Sequence, residues 1–229
     1  MTVDTPVLGN RLNERKTPLT LPEGLRLANI EPESAAHEPR KPTLNRALMD
    51  ARTHEQASDI VKEAGGATHS SSLSWDTTLK QLRQATEMKV ILKGIMTAED
   101  AQLAIDHGVD AIIVSNHGGR QLDCVPSTLE ALSDIALTVR GRIPVIVDGG
   151  IRKGSDVFKA LGLGADLVLM GRPVLWGLAF KGQEGVETVM NILERELSRT
   201  MALAGITRIR DITRSSLGIS NGTFGIARL

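Results

Sequence analysis

Tyrosine is absent from the 229 residues, and the other aromatics are only three Phe and two Trp. A core must therefore be built from Ala, Leu, Val and Ile, the residues that fill buried parallel strands. The single cysteine, Cys124, excludes an internal disulfide and fits a reducing compartment. Neither sign of charge is in excess, with 27 Lys plus Arg against 27 Asp plus Glu. That balance gives no reason to expect nucleic acid or an anionic membrane surface as partner. No apolar run approaches a membrane span, and the first residues lack a signal-peptide pattern. What remains is a length sufficient for one domain with a sizeable core.

The N-terminal third is irregular. Met1–Asp4 reads as the tail of a strand that turns at Thr5-Pro6. Residues 10–74 are polar and rich in Pro, with turn chemistry at Leu21-Pro22-Glu23-Gly24 and Ile30-Glu31-Pro32-Glu33. Weak helical patterns cover Leu44–Arg52 and Glu55–Glu63. Gly65-Gly66 and Ser70-Ser71-Ser72 read as flexible. A segment of this kind is expected to be a lid or a disordered loop.

From Ser74 the pattern is regular. Helices are predicted over Ser74–Ala85, from Thr97 to His107, over Ser127–Val139, from Ser155 or Asp156 to Gly164, and over Val186–Leu203. Between them stand four short apolar runs that predict buried strands: Val90–Leu92, Ala111–Val114, Pro144–Val147 and Leu167–Met170. The tail, 205–229, is mixed. Ala104–Val114 and Ala160–Met170 echo each other as helix end, Gly stop, Asp and strand. Repeated units of this kind mean a doubly wound parallel sheet or a (β/α)8 barrel. The lack of Gly-x-Gly-x-x-Gly after an early strand weighs against the dinucleotide-binding sheet.

Every strand ends in polar or Gly-rich residues, and in parallel α/β folds ligands bind there. The richest end is Ser115-Asn116-His117-Gly118-Gly119-Arg120-Gln121-Leu122-Asp123. His117 can exchange a proton near neutral pH, and Arg120 offers a planar cation for a carboxylate. Each alone would be an ordinary loop residue; together they suggest a small organic acid altered at the neighbouring carbon. Asp148-Gly149-Gly150-Ile151-Arg152-Lys153-Gly154 and Gly171-Arg172-Pro173 suit a phosphate held by Gly-rich loops and a helix N-terminus. Lys93 either snorkels at the surface or stabilises negative charge on a bound ring. Asp4 either caps Thr5–Gly9 or orients a histidine. Arg11 is a charged loop residue with no further signal of its own.

These segments, together with Thr2–Arg11 and Leu92-Lys93-Gly94-Ile95, resemble the FMN-dependent α-hydroxy acid oxidase/dehydrogenase family. The resemblance spans nearly all of the chain except the middle of the long loop. It implies a (β/α)8 barrel present from the end of the fourth strand to the eighth, so that 1–229 is the C-terminal part of the family domain. It implies FMN as cofactor, a small 2-hydroxy acid as substrate, and oxygen or an electron-transfer partner as acceptor. His117 is then the base, Asp4 orients it, and Arg120 binds the substrate carboxylate with Arg11 assisting. Lys93 stabilises negative charge on the flavin, and Thr2 and Ser115 hydrogen-bond it. Asp148, Gly149, Gly150, Ile151, Arg152, Gly171 and Arg172 hold its ribityl phosphate end. The family's three earlier βα units and its active-site tyrosines have no counterpart in this sequence.

Two further readings stand beside the enzyme. One is a fragment that binds FMN or docks on other subunits without turnover. The other is a different phosphate-binding barrel, which leaves His117, Arg120 and Asp4 unexplained as a set. Self-association is expected. The final Ala227-Arg228-Leu229 resembles the Ser-Lys-Leu peroxisomal signal, with a cytoplasmic location as the alternative.

Overall fold

The computed structural model describes residues 1–16, 21–22, 25–26, 28, 44–63, 69–220 and 226–228. The chain divides into two compact units, Thr5–Ser72 and Met1–Asp4 with Leu73–Leu229. Among the described residues the first unit carries three helices: α1 (Leu12–Lys16), α2 (Leu44–Asp50) and α3 (His54–Glu63). The two weak periodic patterns correspond to α2 and α3, and α1 was not foreseen. Ile30-Glu31-Pro32-Glu33, Gly65-Gly66 and part of Leu21-Pro22-Glu23-Gly24 lie outside the described residues.

The second unit is built on a parallel sheet. Its elements run α4 (Trp75–Ala85), β1 (Ile91–Ile95), α5 (Ala98–Asp106), β2 (Ala111–Val114), α6 (Thr128–Val139), β3 (Val145–Val147), α7 (Gly154–Gly162), β4 (Leu167–Val168) and α8 (Arg172–Leu203). Two 3-10 turns, Ile209–Asp211 and Arg214–Ser216, lead to an antiparallel pair of β5 (Gly218–Ser220) and β6 (Ile226–Arg228). Strand order in the main sheet is β1-β2-β3-β4, all parallel, as alternating strands and helices demand. Met1–Asp4 adds a fifth, incomplete strand through a parallel bridge from Thr2 to Lys93.

Local signals start the helices where the sequence placed them. Ser74, Thr97 and Ser127 are N-caps whose side chains accept from the backbone N–H of Thr77, Asp100 and Glu130. Glu130 closes a capping box by accepting from Ser127 N–H, and its bonds from Ser127, side chain first, hold its carboxyl below the usual range. The internal echo is a structural repeat. Gly108 and Gly164 both take positive φ, at 69° and 106°. Asp110 and Asp166 then each accept, through Oδ2 at 2.8 Å, from the N–H of Val90 and Val145 at the start of the neighbouring strand.

The sheet has two unlike faces. Rows Leu92–Ile112–Val145 and Ile95–Val114–Val147 are buried against helices α4 to α7. The intervening row of Lys93, Ile113, Ile146 and Leu167 faces the other way, half-buried at its first three members and 49% exposed at Leu167. The second face is the one a closed barrel would turn inward.

Three boundaries differ from expectation. β1 continues through Lys93 and Gly94 to Ile95, with a bulge between Lys93 and Ile95. β4 is two residues long instead of four, and no described strand pairs with its far side. α8 begins at Arg172, well before the predicted Val186, and breaks at Lys181-Gly182. The Pro173 that read as loop chemistry sits in the first turn of that helix, where a missing N–H costs nothing. Gly177 and Gly185 pack backbone to backbone across the break, so a Cβ on Gly177 would meet the carbonyl oxygen of Gly185 at 2.6 Å.

Candidate active site

The C-terminal ends of β1, β2 and β3, with Met1–Asp4, bring five of the expected residues together, four linked by hydrogen bonds and Asp148 by an ion pair. β2 delivers Ser115, which is fully buried. The chain then passes through three consecutive left-handed residues, His117, Gly118 and Gly119, at φ 58°, 67° and 74°. Two are glycines, for which this conformation is inexpensive, and His117 is the strained member. The turn is closed by Gly119 N–H donating to the carbonyl of Asn116 at 3.0 Å and to its side-chain oxygen at 3.2 Å. His117 N–H donates to Ser115 Oγ at 3.1 Å.

This backbone aims the imidazole at Asp4. His117 Nδ1 and Asp4 Oδ1 are 3.0 Å apart, with side chains 31% and 12% exposed. A carboxylate only accepts, so Nδ1 carries the proton and Nε2 carries the basic lone pair. Asp4 is thus hydrogen-bonded to a histidine 113 residues away in the chain.

On the other side of Ser115, Lys93 Nζ donates to its Oγ at 2.9 Å and lies 3.6 Å from Asp148 Oδ2. Lys93 is therefore a half-buried residue of the group and does not snorkel outward. The second oxygen of Asp148, Oδ1, is buried with no hydrogen-bond partner among the described residues. A buried acceptor without a donor is costly and points to an external O–H or N–H. Gly149 and Gly150 follow at φ 93° and 77°, and Gly150 has open space where a side chain would stand.

The phosphate expectation needs narrowing. The N-terminus of α7 is already filled: Gly154 N–H donates to Glu196 of α8 at 2.8 Å, and Arg152 and Lys153 N–H donate to Asp156. Two carboxylates stand where an anion was expected. The backbone of Gly149–Ile151 remains, with the start of α8, where no side chain caps Gly171. Ile151 is buried at 3%, so only its backbone can serve a ligand. Arg172 reaches from α8 to the His117 turn, donating to the carbonyl of Gly118 at 3.1 Å.

Arg120 is exposed just past this turn. Thr2 pairs with β1 through its neighbours, Lys93 N–H donating to Met1 O and Val3 N–H to Lys93 O. Arg11 belongs to the Thr5–Ser72 unit. Two residues of the site carried no sequence-level role. Gln121 donates to the carbonyl of Asp4 at 3.1 Å, and Gly94 lies beneath the Asp4 side chain. Gln121 could have been noticed as a polar residue within the His117 motif; Gly94 read as a strand stop.

Comparison with known proteins agrees with this arrangement. The family model of FMN-dependent dehydrogenase matches residues 1–219, and the chain belongs to that family. The 2-hydroxyacid oxidase of Dictyostelium discoideum is 44% identical over 221 residues, covering 96% of this chain and 52% of the relative. The peroxisomal (S)-2-hydroxyacid oxidase GLO3 of Arabidopsis thaliana is 42% identical over 221 residues, covering 96% and 56%. Among solved structures, mandelate oxidase with 3,3-difluoro-2-hydroxy-3-phenylpropionic acid superposes with TM-score 0.69 at 36% identity, covering 93% of this chain and 52% of that one. The chain spans about half the length of the curated relatives it matches. Its parallel sheet with outer helices is part of an α/β barrel.

Proposed function

We propose that this chain carries the catalytic half of an FMN-dependent oxidase or dehydrogenase that converts a small 2-hydroxy acid to the 2-oxo acid. The observation that carries the reading is the Asp4–His117 pair at 3.0 Å, joined through Ser115 to Lys93. His117 Nε2 takes the proton of the substrate hydroxyl or, in the carbanion version, of the α-carbon. Asp4 keeps the ring in the tautomer that can do so and stabilises the imidazolium that results. Arg120 pairs with the substrate carboxylate, with Arg11 assisting.

The residues present fit FMN. Asp148 Oδ1 lacks a donor that a ribityl hydroxyl supplies, Lys93 and Ser115 face the ring, and the backbone of Gly149–Ile151 with Arg152, Gly171 and Arg172 suits its phosphate. Bound there, FMN would accept the two electrons that leave the α-carbon. Oxygen or an electron-transfer protein is the final acceptor. Relatives include a protein named as peroxisomal, and Ala227-Arg228-Leu229 is the corresponding address here.

Purified chain titrated with FMN and then given 2-hydroxy acids under anaerobic conditions tests this. His117→Ala should retain bound flavin and lose its bleaching by substrate by about 10²–10⁴-fold. Equal bleaching in the variant would sink the assignment. Flavin that binds but is never bleached in the unsubstituted chain would favour the second reading, a fragment that holds FMN or docks on subunits, which the exposed edge at Leu167 favours.

A further inference from the structure

Ser115 and Thr128 are the two buried polar residues among those described. Ser115 belongs to the site above. Thr128, the first residue of α6, stands outside it and is 2% exposed. Its hydroxyl donates to the carbonyl of Gly149 at 3.3 Å. A Cβ on Gly149 would stand 3.0 Å from that oxygen and 3.3 Å from Thr128 Cγ2, so the Gly149–Gly150 loop rests on this side chain. Among the described residues it is the one hydrogen bond made by the backbone of Gly149 and Gly150. A peptide between two glycines meets little steric resistance to rotation, so the hydroxyl is what fixes its direction. A planar trans peptide points its N–H opposite to its C=O. With the Gly149 carbonyl turned onto α6, the N–H of Gly150 is turned away from it, and no described residue accepts it. Nothing stands within 4 Å of where a Gly150 side chain would begin.

We infer that Thr128 is a positioning residue for the phosphate of the cofactor: its hydroxyl holds the Gly149–Gly150 peptide in the orientation that offers Gly150 N–H to an anion. The inference rests on the reading of this loop as part of an FMN site. Without the hydroxyl the Gly149 carbonyl has no donor, and rotation of the peptide to find one carries the Gly150 N–H out of line. The Asp4–His117 pair and the Lys93–Ser115 bond do not involve Thr128 and stay in place.

The test titrates the full chain with FMN and with riboflavin, which has the same ring and ribityl chain and lacks the phosphate. The forms are unsubstituted, Thr128→Val, Thr128→Ala and Thr128→Ser. Val keeps the shape and loses the donor, Ala carries the same expectation where Val does not fold, and Ser restores the hydroxyl. The readout is the ratio of the riboflavin Kd to the FMN Kd. The unsubstituted chain should prefer FMN. The ratio should fall about 10-fold in Thr128→Val, on the scale of one hydrogen bond to a charged group, and stay near its original value in Thr128→Ser. Loss of folded protein weakens both ligands alike, so a merely structural Thr128 leaves the ratio unmoved. An unmoved ratio in Thr128→Val and Thr128→Ala overturns the inference. So does an equal fall in Thr128→Ser, which would trace the effect to the lost methyl group, and so does an unsubstituted chain with no preference for FMN. A chain that prefers FMN yet is never bleached by 2-hydroxy acids refutes the oxidase reading alone, because the ratio still decides the role of Thr128.

Discussion

Asp4 lies on the bare Cα of Gly94: a Cβ built there would stand 2.6 Å from Asp4 Cβ and 2.8 Å from its Cγ. Gly94 also has φ 112°, which L side chains rarely adopt. The glycine thus serves twice, as the bulge of β1 and as the floor under the carboxylate that meets His117. Gly94→Ala should cost about 1–3 kcal/mol in denaturant unfolding from backbone strain. It should also push Asp4 off the ring, seen as loss of the His117 Nδ1–H signal. A variant of native stability with that signal intact would show that the floor has room to give.

How far the sequence disclosed this arrangement depends on the range of the interactions. β2 was read as Ala111–Val114 and is Ala111–Val114, because a buried apolar run bounded by Asp110 and Ser115 is a local signal. The caps at Ser74, Thr97 and Ser127 are local too. Gly94 was read as the end of a strand, because its bulge and its contact with Asp4, 90 residues away in the chain, leave no local signal. The first part of α8 was missed because its exposed face, with Leu175 59% and Trp176 70% exposed, has no amphipathic rhythm. The anion expected at α7 was displaced by Glu196, which lies 42 residues on and follows no spacing rule. That Asp4 orients a histidine was one of two readings of the residues themselves; that the histidine is His117 was legible only through the family resemblance.

His107 provides an optical reporter of pH. Its ring lies 5.6 Å from that of Trp75, centroid to centroid and tilted by 38°, with Nδ1 2.9 Å from Leu103 O and Nε2 3.1 Å from Asp76 Oδ1. The Leu103 carbonyl first and the Asp76 carboxylate second favour the proton, raising the group above 6.5. The stability it contributes is complete below pH 6.5 and fades as pH rises through the higher folded-state value. In a Trp176→Phe background, Trp75 emission should brighten on raising pH, since imidazolium quenches indole more than imidazole does. The midpoint should lie above 6.5 and move part of the way back in Asp76→Asn. A midpoint at or below 6.5 would contradict the contact.

Asp110 should make the opposite contribution. It accepts from Val90 N–H and pairs with Lys89 at 2.9 Å and Arg83 at 2.6 Å. These partners, the Val90 N–H foremost, hold its carboxyl far below the usual carboxylate range. A depressed group adds stability above its unfolded value of 3.8, and that stability is lost as pH falls through the folded-state value. Asp110→Asn should therefore lower Tm at pH 7 and converge on the unsubstituted chain in strong acid. A gap that stays constant with pH would assign the effect to packing.

The open side of the sheet carries the largest consequence for the 229-residue chain. β4 pairs with β3 alone among the described strands, and Leu167 and Leu169 there are 49% and 38% exposed. Beside them the first turns of α8 present Trp176 and Phe180, 70% and 78% exposed. A strand edge with unpaired backbone groups and neighbouring apolar side chains is a template for association. Burying each such side chain is worth about 1.5–3 kcal/mol, against a total stability of about 5–15 kcal/mol for a domain. The free chain should therefore self-associate or aggregate at micromolar concentration. Trp176→Lys with Phe180→Lys should shift light-scattering mass toward the monomer without loss of helix by circular dichroism, because neither side chain is part of the buried core. A single monomeric mass for the unsubstituted chain across that range would mean that the exposed edge is tolerated.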